Sequence, residues 1–201
     1  MRNKSFDMRK LIMKMNVSLD DFVSGPNGEA DWIFSTGDEE SRASVLSIIR
    51  GSGSIIMGRK SFQVTASYWP TAPGPIAAPM NEIPKVAFTR AGFKEADMPD
   101  AKQSPASASW AGARIFDGDL AEGIRALKAE EGKPILALGG SGFMRSLINT
   151  GLIDEFHLYT APVILGSGQP IFTDVTKPFY LKLAEVKAFP AGNVLQIYRP
   201  A

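Results

Sequence analysis

The chain has 201 residues, 44% hydrophobic and 21% charged, enough for one domain with a full core. Its 22 basic and 21 acidic residues leave a net charge of +1, which gives no basic field for nucleic acid or an anionic membrane. The absence of Cys and the presence of one His, His157, exclude disulfides, thiolate chemistry and multi-histidine metal sites. No apolar run reaches the ~20 residues of a membrane helix, and no signal-peptide pattern opens the chain, so a cytoplasmic protein is expected.

Residues 1–9 read as a tail and 10–201 as a single domain. Leu11 to Val17 reads as a mostly buried strand, and Ser18 to Asp31, rich in Asp, Gly, Pro and Asn, as a loop. Asp38-Glu39-Glu40 suits a helix start, followed by the apolar stripe Val45, Leu46, Ile48 and Ile49 and a stop at Gly51 or Gly53. Ser54 to Met57 is a strand, with a short helix from Gly58. Ala72 to Pro84 holds four prolines and reads as surface loop, and Lys85 to Thr89 as a strand. Ala91 to Gly112 is a connection or a weak helix with a loop. Ala113 to Phe116 is a short strand, and Asp119 caps a helix with Leu120, Ile124 and Leu127 on one face. Ile135 to Leu138 is a strand, Ser141 to Asn149 a helix closed by Gly151, and Glu155 to Ile164 a strand holding His157 as a partly exposed residue. Tyr180 to Ala188 and Val194 to Arg199 alternate as a hairpin around Ala191-Gly192-Asn193. Strand–helix–strand units ending in strands predict an α/β sheet, parallel in its body with an antiparallel edge.

Two glycine turns, each joining a strand to a helix, carry the chemistry. Gly58-Arg59-Lys60-Ser61 and Gly139-Gly140-Ser141-Gly142 each place free backbone N–H groups at a helix start, where an anion is favoured. The first nearly matches a P-loop, but Arg59 stands between the glycine and the lysine. Its plain reading is an exposed basic helix start, although cations there oppose the helix dipole unless a phosphate is bound. The second carries Arg145 where a dinucleotide fingerprint has its last glycine, and its plain reading is tight strand–helix packing. Two such turns in one domain point to a ligand with several phosphates, such as a dinucleotide. Thr89-Arg90, after a strand, suits a phosphate or an adenine edge. Asp20 and Asp21 are candidate proton donors, while Trp32 and Asp38 are candidates for a substrate pocket.

Together these segments resemble the dihydrofolate reductase-like superfamily. The closer likeness is to the C-terminal reductase domain of the bifunctional riboflavin-biosynthesis deaminase–reductase, in stand-alone form. It spans roughly Lys10 to Tyr198. It rests on Ser18-Leu19-Asp20-Asp21 after the first strand, Met57-Gly58-Arg59-Lys60-Ser61-Phe62, Gly139-Gly140-Ser141-Gly142, and Leu152-Ile153-Asp154-Glu155 leading to Pro162-Val163-Ile164-Leu165-Gly166.

The resemblance implies a three-layer α/β/α fold around a mostly parallel eight-stranded sheet, and NADPH as cofactor across the strand ends. Arg59, Lys60 and Ser61 would meet its phosphates and Arg90 its 2′-phosphate. Gly139 to Gly142 would lie under the pyrophosphate, and Ser18 to Asp21 beside the nicotinamide. A pyrimidine or pteridine substrate follows, most like 5-amino-6-(5-phosphoribosylamino)uracil, with dihydrofolate reduction and a binding module without turnover as alternatives. A homodimer is expected, with Gly166 to Phe172 as a candidate contact. Two departures stand out. The helix carboxylate of dihydrofolate reductases falls near Arg42 here, with Asp38 one turn earlier. The family's Ser-Leu-Asp-Gly reads Ser-Leu-Asp-Asp.

Overall fold

The computed structural model describes residues 8–94 and 98–201. The strands are β1 (Leu11–Val17), β2 (Ser54–Gly58), β3 (Lys85–Thr89), β4 (Arg114–Asp117), β5 (Ile135–Ala137), β6 (Glu155–Thr160), β7 (Leu181–Ala188) and β8 (Val194–Pro200). The helices are α1 (Trp32–Ser35), α2 (Glu39–Arg50), α3 (Arg59–Tyr68), α4 (Ala77–Glu82), α5 (Pro105–Ala111), α6 (Leu120–Ala129) and α7 (Ser141–Asn149). One eight-stranded sheet runs β4-β3-β2-β5-β1-β6-β8-β7. β1 to β6 pair in parallel, and β8 runs antiparallel to both β6 and β7.

Alternation along the buried strands builds two apolar layers. Ile55 and Met57 of β2 and Leu136 of β5 pack with Ile49 of α2, Phe62 and Ala66 of α3, Met80 of α4 and Trp110 of α5. Leu11, Met13, Met15 and Val17 of β1 and Ile56 of β2 face the other way, onto Ile124 and Leu127 of α6 and Met144, Leu147 and Ile148 of α7. The three-layer α/β/α arrangement with an antiparallel C-terminal edge is therefore present.

Several elements differ from the sequence reading. Ala72 to Pro84, expected as loop, contains α4, because Pro79 sits in the first turn, where its missing N–H costs nothing. Of Ala91 to Gly112, the helical alternative holds for α5: Ser104 caps it through Ser107 N–H, Pro105 stands at its first position, and Trp110 is buried. Residues 95–97 of that stretch lie outside the described residues. β6 stops at Thr160 rather than Ile164, since Pro162 has no N–H for the ladder and the Val163 carbonyl turns to accept from Leu19 N–H. His157 is buried rather than partly exposed, at 6%. Arg9, placed in the tail, is docked on the domain through Lys133 O and the Ser54 hydroxyl.

Candidate functional site

β2 and β5 are neighbours, yet the helices that follow them, α3 and α7, lie on opposite faces of the sheet. A crevice therefore opens at the carboxyl ends of these strands, where α/β sheets bind ligands. Both glycine turns stand there. Gly58 caps α3 and Gly140 caps α7, and neither helix start has a side-chain cap or an acidic residue in its first turn. The first-turn N–H groups are left pointing outward.

The two turns touch. A Cβ on Gly58 would lie 2.9 Å from the Cβ of Phe143, and one on Gly140 would lie 2.7 Å from the Ser61 hydroxyl. Gly139 and Gly140 have φ of 139° and 81°, conformations that a side chain would strain. Space is open around Gly139 and Gly142. Bare turns, open space and outward N–H groups fit the phosphates of a dinucleotide.

The adjoining β3 end completes one wall. Arg59 donates to Gly92 O at 3.2 Å and stands over the Phe93 ring. Thr89 is buried, and its hydroxyl donates to Gly92 O and accepts from Ala91 N–H, so it shapes the turn that presents Arg90. Lys60 and Arg90 are exposed.

The loop after β1 forms the other wall. Ser18 is buried; its hydroxyl donates to Asp20 at 2.7 Å and accepts from Phe22 N–H. The Asp20 carboxylate also accepts from Leu165 N–H and Gly166 N–H. The Ser18 hydroxyl and then these amides hold its carboxyl below the usual carboxylate range. An acid kept ionised in this way fastens the loop and is a poor proton donor at neutral pH. Asp21 has φ of 66°, the left-handed region in which a glycine is at ease and Asp is tolerated.

The two pocket candidates separate. Asp38 caps α2 in a reciprocal pair with Ser41, and its other oxygen accepts from Ala191 N–H in the β7–β8 turn. Ser41 and then Ala191 hold its carboxyl low. Arg42 donates to Phe34 O and Gly37 O, so neither residue presents an acid to a pterin. Trp32 opens α1, with its indole N–H buried and unpaired within the described structure.

Lys14 was missed as a candidate. It lies on the central strand β1, on the α2 side of the sheet, and is 8% exposed. Its ammonium donates to Asn16 Oδ1 at 2.9 Å and lies 5.0 Å from the centre of the Tyr159 ring. Burial pushes its pKa down to about 8. The signal in the sequence was a lone charge within an apolar strand. Its β6 neighbour His157 bonds Glu155, on which Lys10 and Arg199 also converge. Gln169 was missed as well: its carboxamide oxygen accepts from the Ser141 hydroxyl.

The sequence profile of the RibD C-terminal domain family matches residues 9–195. The chain is 31% identical over 191 residues to the uncharacterized protein YyaP of Bacillus subtilis (strain 168), covering 94% of each. Its fold matches a putative riboflavin biosynthesis protein from Shewanella sp. PV-4 with a TM-score of 0.75 and 18% identity, covering 96% of this chain and 99% of that one. It matches RibD of Acinetobacter baumannii with a TM-score of 0.71 and 18% identity, covering 98% of this chain and 59% of that longer one.

Proposed function

The chain belongs to the RibD C-terminal domain family, and from that membership we propose that it is an NADPH-dependent reductase of a pyrimidine- or pteridine-type substrate, most like 5-amino-6-(5-phosphoribosylamino)uracil. The observation that carries the reading is the pair of touching, uncapped glycine helix starts at the ends of β2 and β5. Gly58, Arg59, Lys60 and Ser61 would hold one set of phosphates, and Gly139, Gly140, Ser141 and Gly142 the pyrophosphate. Thr89 shapes the turn from which Arg90 would reach a 2′-phosphate. When bound, the cofactor supplies a hydride.

The chain itself supplies binding, orientation and a proton. Ser18 and Asp20 act as fasteners of the loop on the nicotinamide side. The proton donor is reassigned from Asp20 or Asp21 to the Lys14 ammonium, which leans along β1 onto Asn16, two residues before the Ser18 loop, and whose pKa burial lowers to about 8. Trp32 remains a candidate pocket wall, and Asp38 is better explained as a helix cap. A homodimer is part of the same proposal; its contact is moved from the segment Gly166 to Phe172, which is tied to the loop after β1 of the same chain, to the edge strand β7, where Leu183 and Val186 are exposed. So is a cytoplasmic location, with which a cysteine-free chain agrees.

Tryptophan fluorescence on titration with NADPH and, in parallel, NADH tests the reading. NADPH is expected to bind at least about tenfold more tightly, with that preference lost in Arg90→Ala. Binding of neither nucleotide would overturn the proposal.

A further inference from the structure

The segment from Val163 to Val175 touches both walls of the crevice. On one side Leu19 N–H donates to Val163 O, Val23 N–H to Gln169 O, and Gln169 N–H to Ser24 O, while Phe22 and Pro170 form a bridge. The Asp20 carboxylate adds its bonds from Leu165 and Gly166. The approach at Gly168 leaves no room for a side chain, since a Cβ would lie 2.2 Å from Ser24 O. On the other side the segment runs along α7: Arg145 donates to the Thr173 hydroxyl, Asn149 to Asp174 O, and Ser141 to Gln169 Oε1. Gln169 is bound to both walls, by its backbone to Val23 and Ser24 and by its side chain to Ser141.

We propose that Gln169 is the positioning residue that pins the loop after β1 to the occupied phosphate turn, by reversing one hydrogen bond. The proposal rests on the dinucleotide reading above. A serine hydroxyl has one proton, and a phosphate oxygen can only accept. Ser141 is the first residue of α7, so a phosphate at the turn replaces Gln169 Oε1 as the acceptor of its hydroxyl. The Gln169 carboxamide then rotates half a turn about its soft terminal bond. Its Nε2–H donates to the Ser141 oxygen, giving an N–H···O–H···O–P chain in which a charged acceptor strengthens both bonds. The Gln169 backbone does not move, so its bonds to Val23 and Ser24 persist. The loop is held more firmly over a filled turn than over a bare one.

Hydrogen exchange of residues 18–24, with and without saturating NADPH, reads this device. In the wild-type chain NADPH is expected to slow exchange there by about tenfold. Gln169→Leu, which keeps the bulk and removes the amide, should bind NADPH within about threefold of wild type yet show no slowing. Equal slowing in Gln169→Leu would overturn the proposal. Should Gln169→Leu fail to fold, Gln169→Met, which also keeps the bulk and removes the amide, gives the same readout. Gln169→Glu has no N–H to donate and brings a charge beside the anion, so its NADPH affinity should fall about tenfold below that of Gln169→Leu. Equal affinities would overturn the proposal, because they would leave no anion beside residue 169 to draw the Ser141 hydroxyl away from it. A wild-type chain that binds NADPH without slowing would overturn this inference alone. One that binds neither nucleotide would overturn the cofactor reading with it.

Discussion

Lys14 is a charge in the middle of the sheet, and its surroundings decide what it can do. Burial lowers its pKa to about 8, so the ammonium is the main form at neutral pH and gives up its proton easily. A reductase that draws its proton from Lys14 should hold a flat rate below pH ~8 and lose about tenfold per unit above it. Steady-state NADPH oxidation from pH 6 to 10 checks this, and Lys14→Met should abolish turnover while leaving NADPH affinity within about threefold. A Lys14→Met enzyme with the wild-type pH profile would return the donor role to another group. Asp20 shows the opposite case: its acidity was legible in the sequence, but its use was not. Four hydrogen bonds from Ser18, Leu165 and Gly166 to its carboxylate and from Phe22 to Ser18 make it a fastener, and the partners at 165–166 are remote in the chain.

At the scale of elements, the two glycine turns act as a pair. Gly58 ends β2 and begins α3, and the Phe143 side chain of α7 occupies the space beside it. Gly58→Ala must push a Cβ against the Phe143 Cβ at 2.9 Å, where no flexible tail can swing aside. A cost of about 1–3 kcal/mol is expected, measured by urea unfolding. NADPH affinity should fall with it, since α3 and α7 are forced apart. A chain of unchanged stability and affinity would mean that the turns are not a single unit. The turns themselves were readable, because glycine next to an apolar strand has a local cause. α4 was not readable: Pro79 reads as loop punctuation, and only burial of Ala77, Pro79 and Met80 against the sheet stabilises so short a helix.

Across the whole molecule, burial of lysines makes stability depend on pH. Lys85, at the opposite end of the sheet from the glycine turns, is 2% exposed. It donates to Asn81 O at 2.6 Å and to the Ser109 hydroxyl at 2.8 Å, and it lies over the Trp110 ring. Burial lowers its pKa to about 8, as it does for Lys14. The unfolded chain keeps both protons up to pH ~10.4, so between pH ~8 and that value it binds more protons than the folded chain. Stability should therefore rise with pH across this window, by up to ~1.4 kcal/mol per unit for each lysine. Urea midpoints at pH ~8 and ~10 test the sign, and Lys85→Met should flatten the rise. A fall in stability over the same range would show that neither lysine is desolvated in the folded chain.

What the sequence alone determined rests on local causes. Apolar runs, caps and glycine turns are set by neighbours within a few residues, so the strands in chain order, four of the seven helices among the described residues and the two anion turns could be placed from it, with α5 left as one of two alternatives. Tertiary structure decided the rest. It set β5 between β2 and β1, which brings turns some eighty residues apart into contact. It buried Lys14, and it assigned Asp20, Asp38 and Gln169 to partners distant in the chain. Desolvation and hydrogen bonding depend on what surrounds a group in space, and spacing along the chain does not encode that.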